Sequence, residues 1–282
     1  MSVVFLYGEI RMKIGFIGAG SMGGAILKGA LSKQYIRSED VYVYDVSEAV
    51  CNEWSQNYHV GIAHNNAELA KQCDWIILAV KPIFLGKVMD EIAPFLTCEK
   101  KLISIAAGWS IEQLTNKIGE SGAKLLRVMP NTPALVGEGV LALCEETTLE
   151  AEDFIWAQKL CATLGVVQIV PERLIDAVIA VSGSSPAYVF MFIEAMADAA
   201  VKLGMPRQLA IQLAAQAVLG SAKMVLETGN HPAVLKDQVC SPGGTTIEAV
   251  QALEEGGMRA AVIKAMNACA EKSQQLTNRS SK

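Results

Sequence analysis

The sequence predicts an α/β protein in which a doubly wound, mainly parallel sheet is followed by an all-helical half. Three observations carry this expectation. Between Lys13 and about Val170, short β-rich runs alternate with segments of helical length. The runs are apolar throughout, as expected of strands covered on both faces. After Pro171 the strand signal stops, and long stretches rich in Ala, Leu and Met follow, broken at "SGSSP", "LGMP", "ETGNHP" and "SPGG". The expected division is residues 1–170 and 171–282, with residues 1–11 as an extension ahead of the first strand.

That strand, "KIGFIG", runs into "GAGSMGGAI", where Gly18, Gly20 and Gly23 make G-x-G-x-x-G at the head of a helix. In this strand–turn–helix context the motif is the dinucleotide fingerprint of a Rossmann-like fold. Gly18 permits the turn, Gly20 admits a pyrophosphate, and Gly23 lets the helix pack closely; Ala19, Ser21 and Met22 complete the loop. The second strand, "VYVYD", ends at Asp45, where a carboxylate can accept hydrogen bonds from the adenosine ribose. NADH is therefore favoured over NADPH, because Val46 and Ser47 supply no cation for a 2′-phosphate. The alternative at Asp45 is a turn-forming residue at a strand end. The remaining runs, "WIILAV", "KLISIA", "KLLRVM", "GVLALC" and "VVQIV", continue the sheet.

In the helical half, "AIQLAAQAVLGSAKMVL" carries few charges over several turns. A helix apolar on most of its surface must be buried in its own domain or against another subunit, so self-association as a dimer is expected. Near the end, "KDQVCSPGGTTIEAV" places Pro and two glycines before a helix expected to start at Thr245. Thr245 and Glu248 fit a capping box, and Ile247, Val250 and Leu253 begin an apolar stripe. Gly243 and Gly244 could turn several N–H groups, with the positive end of the helix dipole, toward an anion. A tight turn with a well-capped helix is the other reading.

Composition narrows the function. The net charge of -5 with 19% charged residues offers no basic footprint for nucleic acid or a membrane surface. Seven cysteines lie without C-x-x-C pairs and there are only three histidines, so no metal site is read and a reducing, cytoplasmic location is expected. The opening "MSVVFLYGEI" lacks a basic leader, and charges such as Glu194, Asp198 and Lys202 interrupt the later apolar segments, so neither secretion nor a membrane span is expected. The partner is a small molecule.

A dehydrogenase acting on an alcohol needs a general acid or base at the hydride centre. His59, His64, His231 and Lys81 are poor candidates. Reduction of an iminium escapes the requirement, because hydride addition removes a positive charge and leaves a neutral amine. Here the motifs "GFIGAGSMGGAI", "AVKP", "RVMPNTPALVGEG", "LIDAVIAVSGSSPAYVF" and "LKDQVCSPGGTTIEAV" come together, and the chain from Met12 resembles pyrroline-5-carboxylate reductase. The resemblance implies reduction of 1-pyrroline-5-carboxylate to L-proline with NADH or NADPH. It implies that Thr246 meets the ring nitrogen and Thr245 the carboxylate. Gln238, Val239, Ser241, Gly243 and Gly244 would lie along the same loop, with Glu172 on the substrate side. Cofactor contacts are implied for Asn66, for Ala79, Val80, Lys81 and Pro82, for Ala106, Ala107 and Gly108, and for Ser184. It also implies interlocked helical domains and active sites that draw on both chains. Two departures stand out: Ser185, where many members carry glycine, and Asp45–Val46, where others carry Asn or Ser with a nearby Arg. The competing readings are a β-hydroxyacid dehydrogenase, which would need a lysine such as Lys202 or Lys223, and a non-catalytic NAD(H)-sensing dimer.

Overall fold

A computed structural model describes residues 12–279; the extension expected at residues 1–11 lies outside them. The first half forms an eight-stranded sheet in the order β3-β2-β1-β4-β5-β6-β7-β8. The strands are β1 (Ile14–Ile17), β2 (Val41–Tyr44), β3 (Gly61–Ile62), β4 (Trp75–Leu78), β5 (Lys101–Ser104), β6 (Lys124–Met129), β7 (Gly139–Cys144) and β8 (Gly165–Val170). All neighbours pair in parallel except β6 and β7. Each of the seven apolar runs named above is a strand, and β3 is a two-residue addition at the edge. Helices α1 (Ser21–Ser32), α2 (Glu48–Tyr58), α3 (Asn66–Gln72), α4 (Pro82–Ile92), α5 (Ile111–Ile118) and α6 (Ala151–Ala162) connect them.

Alternation along each strand builds two cores, which is why the runs are apolar at every position. Ile14, Phe16, Val41, Val43, Trp75 and Ile77 pack on one face with Leu27 and Leu160 of α1 and α6. Ile17, Ile76, Leu78, Leu102 and Leu125 pack on the other with Leu69, Leu85 and Leu114 of α3, α4 and α5. Gly15 is required by this packing, because a Cβ there would fall 2.3 Å from Leu69 Cδ2.

The helices after the sheet are α7 (Ile175–Val178), α8 (Ser185–Lys202), α9 (Arg207–Thr228), α10 (Pro232–Val239), α11 (Thr245–Glu255) and α12 (Met258–Arg279), with a π-helical turn at Ile179–Gly183 ahead of α8. The chain divides into two compact units, one ending at Gly183 and resuming at Ala270, the other Ser184–Cys269. The first unit thus extends beyond the end of the strand signal at 170. Ile175, Ile179 and Ala180 are buried, Asn131 Nδ2 donates to the Ser182 carbonyl at 3.0 Å, and Ser273 Oγ donates to Asp176 at 2.5 Å.

The second unit is different in kind. Its buried apolar residues are the alanines Ala197, Ala210 and Ala214, small enough to let α8 and α9 approach closely, whereas Phe190, Met191, Leu213, Leu219 and Leu226 are exposed. Two described helical runs, Glu172–Lys202 and Arg207–Thr228, are long and apolar enough to cross a membrane by length and composition alone. This corrects the expectation from charge interruption. Residues 177–193 carry no charged side chain, and α9 has only Lys223 between Arg207 and Glu227.

Candidate active site

The predicted cofactor residues of the first unit gather at the ends of adjacent parallel strands, where a doubly wound sheet binds its ligand. Gly18 follows β1, Asp45 follows β2, Ala79–Pro82 follow β4 and Ala106–Gly108 follow β5. Gly18 has φ +88°, and a Cβ on it would fall 2.8 Å from the Ala79 carbonyl oxygen. At Gly23 an added Cβ would meet the Gly18 oxygen at 2.2 Å. At Gly20, by contrast, it would meet no atom within 4 Å. That open space faces the start of α1, where Gly20 is the N-cap and no side chain caps the helix. The first N–H groups of α1, on Ser21, Met22 and Gly23, are those a helix leaves free for an anion. The residues present therefore fit a dinucleotide pyrophosphate.

The loop is held from both sides. Ala19 N–H donates to Asp45 Oδ2 at 2.9 Å, and its carbonyl accepts from Trp54 Nε1 at 3.0 Å. Asp45 Oδ1 accepts from Ser47 N–H at 2.9 Å, so the carboxylate does serve the turn. Each oxygen still has acceptor capacity for a ribose hydroxyl. Val46 is 92% exposed beside it. Arg37 and Lys33 lie at the opposite edge, since Arg37 precedes β2 and Lys33 caps the C-terminus of α1, about 18 Å of helix from Gly20. Arg37 is also engaged by Asp40 at 2.7 Å and Glu39 at 3.1 Å.

Lys81 is the N-cap of α4, with Pro82 at the first helical position. The Pro82 carbonyl accepts from Trp109 Nε1 at 3.0 Å, which ties the β4 turn to the loop after β5. Asn66 opens α3; it is buried, and its Oδ1 has no hydrogen-bond partner among the described residues. The sequence does not single out Trp54 on α2 or Trp109 in the loop after β5, because a buried indole reads as core; the carbonyls at their N–H groups show that each also holds a loop of the site.

Glu172, expected on the substrate side, has protein partners of its own. Its Oε1 accepts from Arg127 Nη1 at 2.6 Å and from the Ile111 N–H at 2.6 Å, and the Arg127 side chain is 5% exposed. The carboxylate thus neutralises a buried guanidinium on β6 and supports the start of α5.

In the second unit, Ser241–Gly244 form a turn closed by Gly244 N–H to the Ser241 carbonyl at 3.0 Å, with Pro242 second and Gly243 third at φ +66°. Proline followed by a left-handed glycine is the pattern of a type II turn. The helix starts at Thr245 as expected, but the capping box does not form: Gly244 is the N-cap and no side chain caps α11. The chain enters one residue earlier than the box requires, so the first N–H groups of α11 are free for a ligand. Thr245 is exposed and Thr246 half-buried at the first two helical positions. Gln238 and Val239 end α10, and Ser241 follows it, all exposed. Ile247 and Leu253 of the apolar stripe are also exposed. Ser184 is the N-cap of α8, and its Oγ accepts from Cys269 Sγ at 3.2 Å. Ser185 has no left-handed backbone, so serine costs nothing there.

The remaining candidates have structural duties. His59 ends α2 in the left-handed conformation, His64 N–H donates to Glu68, and His231 Nδ1 accepts from Ala233 N–H. No cluster of potential metal ligands occurs among the described residues. Burial pushes the thiols of Cys73, Cys144 and Cys161 up to about 12, so they are inert.

Comparison with known proteins covers both units. The family described as pyrroline-5-carboxylate reductase dimerisation matches residues 172–276, and NADP oxidoreductase coenzyme F420-dependent matches residues 13–108. The chain is 49% identical to pyrroline-5-carboxylate reductase of Escherichia coli over 268 residues, 95% of this chain and 99% of that one. It is 42% identical to the enzyme of the same name from Methanosarcina acetivorans over 266 residues, 94% and 98% of the two chains. The crystal structure of Plasmodium falciparum pyrroline carboxylate reductase with NADP bound superposes with a TM-score of 0.86 at 36% identity, covering 96% of this chain and 100% of that one. The fingerprint turn, the glycine-capped α11 and a likeness that runs the length of the chain lead to one assignment: the protein belongs to the pyrroline-5-carboxylate reductase family.

Proposed function

We propose that the protein reduces 1-pyrroline-5-carboxylate to L-proline, the last step of proline biosynthesis, as a cytoplasmic homodimer or larger assembly. The observation that carries this reading is the uncapped N-terminus of α11 behind the Pro242–Gly243 turn, which suits the carboxylate of a cyclic α-imino acid without an arginine. A nicotinamide dinucleotide supplies the hydride when bound. The Gly18–Gly23 turn holds its pyrophosphate, and Asp45 accepts from its adenosine ribose. Thr246 orients the ring nitrogen, Thr245, Ser241, Gly243 and Gly244 serve the carboxylate, and Gln238 and Val239 flank them. No side chain is required as a strong acid, because the reaction discharges an iminium. The exposed apolar surface of α8 and α9 is the self-association surface, which gives these helices a use other than a membrane span. A β-hydroxyacid dehydrogenase is not favoured: Lys223 pairs with Glu227 at 3.5 Å, and Lys202 ends α8.

The cofactor preference follows from Asp45. Two like unit charges about 5 Å apart cost about 3 kcal/mol at an effective dielectric near 20, of which salt removes about half, and a 2′-phosphate facing this carboxylate carries at least one such charge. The expected outcome is NADH oxidation by pyrroline-5-carboxylate and not by hydroxyacid-derived aldehydes, with kcat/KM about tenfold higher for NADH than NADPH. Combining Asp45→Ser with Val46→Arg should reverse the preference. Absence of turnover with the imine refutes the reaction; equal or better use of NADPH by the wild type refutes only the role of Asp45.

A further inference from the structure

The buried Asn66 side chain is only half used. Its Nδ2 donates to Glu91 Oε2 at 2.7 Å, while Oδ1 accepts from nothing among the described residues. The orientation is not free. A carboxylate only accepts, so the amide nitrogen must face Glu91 and the carbonyl must face away. Lys87 Nζ stands 3.8 Å from the other Glu91 oxygen and helps to hold the acid in place. A dry acceptor without a donor is unfavourable, and few are left in folded proteins unless a ligand completes them.

The position of Asn66 says which part of a ligand this is. The residue opens α3 directly after β3, the strand beside β2, and so lies on the Asp45 side of the fingerprint turn. The Ala79–Pro82 and Ala106–Gly108 loops lie on the other side of β1. Strand β2 marks the adenosine half of a dinucleotide. That half carries ribose hydroxyls and the adenine amino group as donors, whereas its phosphates offer only acceptors.

We propose that Glu91 is a positioning residue for the dinucleotide: by engaging Asn66 Nδ2 it makes Oδ1 a fixed acceptor for an O–H or N–H donor of the adenosine half. The proposal rests on the dinucleotide reading of the first unit and adds to it a residue, Glu91, and the sense of one hydrogen bond.

The test exchanges the polarity of the pair in the full-length protein. Asn66→Asp sets two carboxylates against each other. Adding Glu91→Gln restores the bond in reverse, with the Gln amide donating to one Asp oxygen and the other left as the acceptor. Glu91→Gln alone keeps a partner for Asn66 Nδ2 through its carbonyl. The readout is the Kd of ADP-ribose by titration calorimetry, alongside steady-state kinetics and melting temperature. Asn66→Asp should weaken ADP-ribose about tenfold, and both Glu91→Gln and the double variant should lie within about threefold of wild type. The KM for the dinucleotide should follow the Kd, with kcat and the KM for the imine unchanged. If Asn66→Asp does not fold, Glu91→Leu, which lets the amide turn, should weaken ADP-ribose by about threefold or more with kcat unchanged. Wild-type affinity in Asn66→Asp, or in Glu91→Leu where that variant is used, overturns the proposal. So does a folded double variant as weak as Asn66→Asp, or a loss of kcat matching the loss of affinity. Failure of the wild type to bind either NADH or ADP-ribose removes the dinucleotide reading itself, and the role of Glu91 with it.

Discussion

Thr246 is the residue on which the proposed chemistry is most exposed to test. It occupies the second position of α11, whose N-cap is Gly244, so the hydroxyl is not needed to start the helix. Thr246→Ala should therefore lower kcat by about 10- to 1,000-fold through loss of one orienting hydrogen bond. The melting temperature should barely move. Turnover at the wild-type level in a folded variant would exclude the orienting role. Asp45 serves the turn, and this leaves room for the ribose contact proposed for it. The same carboxylate receives the Ala19 and Ser47 N–H groups, which shape the turn, and keeps acceptor capacity for the ribose contact proposed above.

The elements that frame the site are joined by a few polar links, and the Arg127–Glu172 pair is the most consequential. It couples β6 to the short helical turn after β8 and, through the Ile111 N–H, to the start of α5. Removing the acid strands a guanidinium whose side chain is 5% exposed. Breaking a buried pair from one side costs about 3–5 kcal/mol, and the partial exposure of Glu172 puts the expected loss near the lower end. Glu172→Ala should thus lower the melting temperature by several degrees, as read by calorimetry, while the KM for the imine stays near the wild-type value. A raised KM with unchanged stability would return Glu172 to the substrate.

Across the whole molecule, the two units differ in how they bury apolar surface. The first closes two cores around its sheet; the second covers only alanines and presents Leu213 and Leu219 at 51% and 57% exposure. This is the surface on which we propose that copies of the chain meet. The wild type should sediment as a dimer or larger. Leu213→Glu with Leu219→Glu should shift it toward monomer and reduce activity, with NADH still bound by the first unit. A fully active monomer in light scattering would refute the assembly as a requirement for function.

The parallel sheet, the fingerprint turn and the helix start at Thr245 were legible in the residues because each is specified locally. Apolar runs, glycines at fixed spacing and a Pro–Gly turn act over a few positions of chain, where propensity and backbone sterics decide. The links that complete the site were not legible. Trp54 reaches Ala19 across 35 residues, Asn66 reaches Glu91 across 25, and Arg127 reaches Glu172 across 45. The extension of the first unit to Gly183, and the choice of Gly244 over Thr245 as the cap of α11, also depend on packing. No spacing rule encodes such partners, because a side chain's neighbours are set by how strands and helices cross in space. Burial then decides which of its polar atoms must be satisfied and which await a ligand.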